Sequence, residues 1–391
     1  MRHRVLLAGM PDTLRRSARR DGPGKREDRA AMSSQDEIRI TTAFGAEGSD
    51  SFVSVSPDNA AYTKFLLNLK ATGKLAGEAE YFVALDNEED RVGRMAAALG
   101  PHPNVGLVGL LALTEKRSDK AWVHSVIDAL LSSCESWLLS LGVNKVYGPV
   151  DFSTFFEYRL RDRTEEQGEE QGWGPDFSWE PTQPQSYLLA FEAAGYAPVE
   201  RYHSEFYATT TTFPPQIVVK MMEPAWRAAI DRGLEFIAFD EVRPVEKLIP
   251  IIEAISLEAF KENFLYSPVP GEVFEALYSP AVQKVDLSLS LLVRAPDGQE
   301  VGFLYAFEDC GYCVIKSIAV RPDWRKLHLS SALVQRCLAR AAQRGLTRFA
   351  SALVREGNAS EFLESRHHRH PVRVWKHHYT LVGKTLKGAG R

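Results

Sequence analysis

The chain has 391 residues, 45% of them hydrophobic and 25% charged, which excludes global disorder and favours two domains. Its 47 basic and 51 acidic residues leave a formal charge of -4, so it has no general attraction to nucleic acid or to an anionic membrane. No apolar run approaches the roughly 18 residues of a membrane span, and Val5–Met10 is too short for a signal-peptide core.

Residues 1–37 mix Arg2, Arg4, Arg15, Arg16, Arg19, Arg20, Lys25, Arg26 and Arg29 with six acids and show no apolar periodicity. They read as a disordered basic tail, within which Met32 offers a second start. A first unit spans 38–212. Strands are predicted at 80–85, 91–98, 105–113 and 143–150. Trp122, Val126, Leu130 and Leu138 recur at helical spacing over 121–141, and Gly142 stops that helix. The acidic, Gly-rich run 162–175 reads as a surface loop.

The Thr- and Pro-rich run 209–215 marks the change-over, and 213–234 form a linker with a helical stretch around Trp226. A second unit, 235–386, has clearer order. Helices are predicted at 245–263, 271–278 and 329–344, with a helical turn at 358–364. Strands are predicted at 287–294, 301–307, 312–320, 349–354 and 374–381, the first two joined by the hairpin signal Pro296-Asp297-Gly298. Each unit is α/β, a mixed twisted sheet flanked by helices.

Four cysteines are present. Cys134 and Cys337 fall among apolar neighbours on helices, and Cys310-Gly-Tyr-Cys313 sits at a hairpin without the second pair that a zinc site needs. A structural role is favoured over redox or metal chemistry, and a reduced, cytoplasmic protein fits. His367, His368, His370, His377 and His378 invite a metal reading, but Arg366, Arg369, Arg373 and Lys376 oppose a cation, so no metal site is assigned.

The informative segment is Ile315-Lys-Ser-Ile-Ala-Val-Arg-Pro-Asp-Trp-Arg325-Lys-Leu-His-Leu-Ser-Ser-Ala332. An apolar strand runs through a Pro-containing turn into a helix whose first N–H groups form an anion site. Arg325 would add a charge-assisted bond to a phosphate. The segment resembles motif A of the GNAT acetyltransferase superfamily, with Val320, Pro322 and Arg325 in register. His328 and Ser330 stand at the family's two small positions. The stretch Glu356-Gly-Asn358-Ala-Ser360 resembles motif B.

Residues 148–159, 180–187, 193–196 and 261–268 resemble segments of bacterial tandem-GNAT proteins, so the likeness runs from about residue 78 to 383. The resemblance implies acetyl-CoA or another acyl-CoA, held by Ile318, Ala319, Val320, Arg325, Lys326, Leu327, His328, Leu329, Ser330, Ser331 and Asn358. In the first unit the equivalent turn, 114–120, contains no glycine, and Glu115 and Asp119 face any incoming phosphate. That unit is expected to be degenerate for CoA and to cap the substrate cleft.

The implied reaction is N-acyl transfer, acetyl transfer first among the options, from CoA to a primary amine of a small molecule or peptide. A tyrosine that returns a proton to the thiolate is missing after Asn358. Tyr266, then Tyr379, are the candidates, with Lys316, Glu308 and Asp309 weighed as bases. A non-catalytic acyl-CoA binder or interaction protein is the alternative. A tRNA-dependent aminoacyl transferase of Fem type is a third class, disfavoured by the missing basic groove. Oligomeric state is not read from the sequence.

Overall fold

The computed structural model describes residues 37–43, 45–115, 117–167, 176–212, 214–357 and 373–387. The basic tail up to residue 36, and the stretch holding Asn358, His367, His368 and His370, lie outside them.

The first half contains β1 (Arg39–Thr42), α1 (Gly45–Ser54), α2 (Ala60–Ala71), β2 (Ala79–Leu85), β3 (Arg91–Leu99) and β4 (Val105–Leu113). It continues with α3 (Lys120–Ser140), β5 (Lys145–Gly148), β6 (Leu160–Gln167), α4 (Gln185–Ala193) and β7 (Ala197–Ala208). The second half contains α5 (Pro215–Ile230), β8 (Glu235–Ala238), α6 (Leu248–Ala259), α7 (Gly271–Lys284), β9 (Leu291–Arg294) and β10 (Glu300–Asp309). It ends with β11 (Tyr312–Val320), α8 (Leu329–Gln343), β12 (Arg348–Arg355) and β13 (Arg373–Thr385). The fold is α/β, as expected.

The two halves repeat one plan. In the first, β2, β3 and β4 form an antiparallel meander, α3 crosses over, and β5 joins β4 in parallel. In the second, β9, β10 and β11 do the same, and β12 joins β11 in parallel after α8. A parallel pair needs a long crossover, and a helix supplies it.

All these strands belong to a single sheet, in the order β1-β2-β3-β4-β5-β13-β7-β12-β11-β10-β9-β8, with β6 on β13. The last strands of the two halves are exchanged. β13 lies against β5 of the first half, and β7 lies against β12 of the second. The interval 213–234, read as a linker, is mostly α5 and the turn after it, and α5 packs on α8.

Side-chain alternation divides the core between the two faces of the sheet. On one face, α1, α2, α6 and α7 share one continuous core across both halves, including Phe52, Leu66, Val83, Phe239, Ile252, Phe274, Phe303 and Ala319. On the other, α3 and α4 cover Met95, Val108 and Val146, whereas α5 and α8 cover Leu291, Leu304 and Val320.

Several boundaries differ from the sequence reading. Residues 162–167, the described part of the run expected as an acidic loop, belong to β6, which forms because β13 offers a free edge and Arg161 is drawn inward to Glu180 at 3.0 Å. The helix expected over 245–263 ends at Ala259, and 271–278 extends to Lys284 with Pro280 inside it. Strands β1 and β7 and helices α1, α2 and α4 were not predicted. Cys313 and Cys337 are buried with sulfurs 3.7 Å apart, and Cys310 is exposed at the hairpin, so the CxxC residues do not face each other.

Candidate functional site

The parallel ladder of the second half is short. Cys313, Val314 and Ile315 pair with Phe349, Ala350 and Ser351, and then the two strands part. Two local features cause this. In β11, Lys316 is an extra residue between Ile315 and Ser317, a β-bulge opposite Tyr305 and Ala306 of β10. In β12, the ladder to β7 shifts after Ser351, Leu353 takes a φ of 56°, and its N–H goes to Ser204 Oγ at 2.9 Å. β12 thus leans toward β7 and leaves the edge of residues 316–320 without a strand partner on that side among the described residues.

This edge leads into the turn Pro322–Leu327 and the N-terminus of α8, where no side chain caps the helix. The first-turn N–H groups of Leu329, Ser330 and Ser331 therefore keep their anion-binding capacity. His328 adopts φ 56°, ψ 28°, the left-handed conformation that favours glycine. The backbone thus keeps the geometry expected of a small residue there, and the exposed imidazole projects from it. Lys326 is also exposed, and Leu327 packs with Trp324 against the core under α8. Ile318 and Val320 face that core, whereas Ala319 faces α6.

Arg325 is placed differently from expectation. Its Nη2 donates to Ala259 O at 2.6 Å and its Nε to Val320 O at 3.3 Å. It ties the turn to the end of α6, where carbonyls need donors, and does not point a free guanidinium at the helix N-terminus.

The equivalent path in the first half is closed. β4 carries its own bulge, with Leu110 and Leu111 opposite Met95, after three parallel pairs with β5. There the chain folds back. Val150 N–H donates to Val108 O at 2.8 Å, and Asp151 Oδ1 accepts from Leu110 N–H at 2.6 Å. Gly109 permits the approach, since a Cβ there would lie 2.2 Å from Val150 O. At the helix, Asp119 accepts from Trp122 N–H at 3.0 Å and caps α3. Both positions open in the second half are filled in the first by carboxylates of the chain itself. Asp151 is buried, and burial followed by the charge of Glu157 pushes its carboxyl up to about 7.

Between the halves, two segments singled out in the sequence meet. Phe155 lies 6.0 Å from Tyr266 and 6.1 Å from Phe274, Tyr147 packs edge-on to Phe264 at 5.1 Å, and Ser153 Oγ donates to Ser267 O at 3.4 Å. Tyr266 is half-buried and donates its hydroxyl to Leu257 O at 3.3 Å, and burial raises its pKa.

Tyr379 does not fit the role considered for it. It is 1% exposed, and its hydroxyl is engaged by Glu180 and by Ser204 Oγ at 3.2 Å. Glu180 also binds His377 Nδ1 and, at 3.0 Å, Arg161. Asp176, Glu180 and His377 come near enough to share a cation, but Arg161 already lies on both carboxylates, 3.3 Å from Asp176, and supplies that positive charge. Glu308 pairs with Arg344 and Asp309 accepts from Ser178 N–H, both at the β10–β11 turn, the opposite end of β11 from Val320.

Lys316 is half-buried and makes no hydrogen bond or ion pair among the described residues. Burial, then the charge of Arg159, lowers its pKa to about 8. Arg159 itself is a residue the sequence reading missed. Its guanidinium is sandwiched by the rings of Tyr158 at 3.8 Å and Tyr202 at 4.0 Å. Its presence at the end of the 148–159 segment was the only available signal, because Tyr202 arrives from β7.

Residues 201–354 match the family described as the acetyltransferase (GNAT) domain, a stretch running from β7 into β12. No curated protein sequence matches the chain. Among solved structures, a glucosamine N-acetyltransferase region of a fungal multi-domain beta-N-acetylglucosaminidase aligns with TM-score 0.47 and 14% identity, covering 90% of this chain and 38% of that one. A GCN5-related N-acetyltransferase from Sphaerobacter thermophilus aligns with TM-score 0.44 and 18% identity, covering 90% and 96%. A tandem GNAT protein from the clavulanic acid biosynthesis pathway aligns with TM-score 0.47 and 11% identity, covering 90% and 100%. Residues 201–354 are thus similar to the acetyltransferase (GNAT) domain, and they lie within a sheet whose two halves follow the same plan.

Proposed function

We propose that the chain is an acyl-CoA-dependent N-acyltransferase whose second half binds the donor and whose first half shapes the acceptor cleft. The observation that carries this reading is the contrast between the halves. The edge at Lys316–Val320 and the N-terminus of α8 are open, and their counterparts are closed by Asp151 and Asp119. Such an open edge fits the amide-bearing arm of CoA, held by the main chain of Ile318, Ala319 and Val320. The N–H groups from Lys326 to Ser331 fit its pyrophosphate. When bound, acyl-CoA supplies the activated thioester carbonyl.

The chain's part is to position the acceptor amine and to manage its protons. With Tyr379 sealed, Tyr266 is the tyrosine left to return a proton, after giving up its bond to Leu257. Lys316, held at about 8, is poised to exchange a proton close to the bulge. The acceptor is a primary amine of a small molecule or peptide. Four free cysteines favour a cytoplasmic setting, and no described helix is long and apolar enough to cross a membrane. The engaged state of both tyrosines favours, as a second reading, a binder without turnover.

The test is a thermal shift with acetyl-CoA, longer acyl-CoAs and free CoA. Ligand at a hundred times its dissociation constant adds about 2.7 kcal/mol. Ser330→Glu puts a carboxylate at the anion site, where it also favours the helix dipole, so the fold is kept and the shift is lost. No shift with any CoA species overturns the acyltransferase reading and the binder reading together. A shift without turnover on an amine panel leaves the binder.

A further inference from the structure

β12 lies between β7 and β11, and it changes course at two residues. Ser351 pairs with Glu205 and Val354 with His203, so Ala352 and Leu353 stand opposite the single residue Ser204, as in a β-bulge. Leu353 occupies the left-handed region at φ 56°, which a glycine takes without steric cost and a leucine does not. A bend of this kind needs support. The fully buried Ser204 supplies it, because its Oγ accepts from Leu353 N–H at 2.9 Å.

Counting protons extends this contact into a directed chain. Tyr379 has one hydroxyl proton, and the Glu180 carboxylate, which only accepts, takes it. Ser204 then donates to the Tyr379 oxygen at 3.2 Å, which turns the lone pairs of its own Oγ to Leu353. Glu180 is fixed in turn by Arg161 at 3.0 Å and by His377, the β13 residue paired with Ser204. All five side chains are buried, so the protein and not solvent sets the direction of the Ser204 hydroxyl.

The support reaches Leu353 from β7, the side of β12 away from β11. The first half does the reverse. There Leu110 is the left-handed residue, at φ 51°, and its N–H is taken by Asp151 of the loop that folds back after β5. One bulge is held by a group that fills the gap beside it, and the other from behind, so that its gap stays open.

We infer that Ser204 is a positioning residue for the acyl-CoA site: its hydroxyl, oriented by Tyr379 and Glu180, fixes the Leu353 bulge and keeps β12 off the Lys316–Val320 edge. That this edge receives acyl-CoA rests on the function proposed above, whereas the hold on the edge rests on the bulge alone. Without the hydroxyl, Leu353 N–H loses its acceptor and the left-handed bend loses its support. β12 is then free to continue its ladder with β11 past Ser351 and cover the edge. If the open arrangement becomes about tenfold rarer, its ligand binds about tenfold more weakly.

The experiment compares the full chain with Ser204→Ala and with Ser204→Ala combined with Leu353→Gly. Hydrogen exchange over 316–320 reads the edge without ligand, acetyl-CoA titration reads the site, and denaturant unfolding reads stability. Ser204→Ala is expected to slow exchange at 316–320 and to raise the acetyl-CoA Kd about tenfold. Adding Leu353→Gly restores fast exchange and affinity, because glycine keeps the bend unaided. It does so while lowering stability further, since the packed Leu353 side chain is gone. A serine that only stabilised the fold would let affinity fall together with stability. Tyr379→Phe, which keeps the ring and frees the Ser204 hydroxyl to turn, serves if Ser204→Ala does not fold, with the same direction of change.

Unchanged exchange at 316–320 in the folded variant, or affinity that falls with stability in the double variant, overturns the positioning role. Slower exchange in Ser204→Ala, with no acetyl-CoA binding to the wild type, upholds the hold of Ser204 on the edge and overturns the acyl-transfer reading instead.

Discussion

Asp151→Asn isolates the device that closes the first half. Asp151 is 7% exposed and accepts from Leu110 N–H at 2.6 Å and from the Tyr62 hydroxyl at 3.1 Å. An asparagine of the same shape keeps the oxygen facing Leu110 and can donate to Tyr62. Burial and Glu157 raise the carboxyl from 3.8 to about 7. For an acid whose folded pKa is raised, the folded state holds a proton that the unfolded chain has released. Stability contributed by this group is therefore lost as pH rises from 3.8 to about 7, and the loss is complete above that. At 1.36 kcal/mol for each pH unit, the wild type loses about 2 kcal/mol between pH 5.5 and pH 8 that the variant does not lose. Denaturant unfolding of both proteins across that range measures the difference directly. A gap between the two proteins that stays constant with pH would refute the argument, because it would mean Asp151 is charged throughout.

His328→Gly removes a side chain from a left-handed position and should raise stability by about 0.5–1 kcal/mol in chemical unfolding. Arg325→Ala breaks two hydrogen bonds between the turn and the end of α6. It should cost about 1–2 kcal/mol and weaken acetyl-CoA binding only partly, by contrast with Ser330→Glu. Glu180→Gln leaves the buried Arg161 guanidinium with Asp176 at 3.3 Å as its remaining acidic partner and should destabilise by about 1–3 kcal/mol, read by the same unfolding curves. Phe206→Ala, at a residue fully buried on β7 between Phe177 and Tyr312, should cost about 3–5 kcal/mol and loosen both halves at once in hydrogen exchange, because β7 joins them.

Local periodicity and turn chemistry determined much of the fold. The helix at 121–141, the hairpin at 296–298 and the strand–turn–helix from Ile315 to Val334 are legible because each rests on neighbours in sequence. The absence of glycine at 114–120 is legible in the sequence, and in the structure Asp119 of that run caps α3. Tertiary structure decided the rest. β6 and β7 lack a strong pattern of their own and become strands because β13 and β12 offer edges. Arg325 reads as a phosphate ligand until the end of α6, 66 residues earlier, presents a carbonyl to it. Tyr379 reads as a candidate acid until Glu180 and Ser204 close around it. Arg159 carries no signal until Tyr202 arrives from β7, since charge, burial and partner choice depend on contacts that no local pattern encodes.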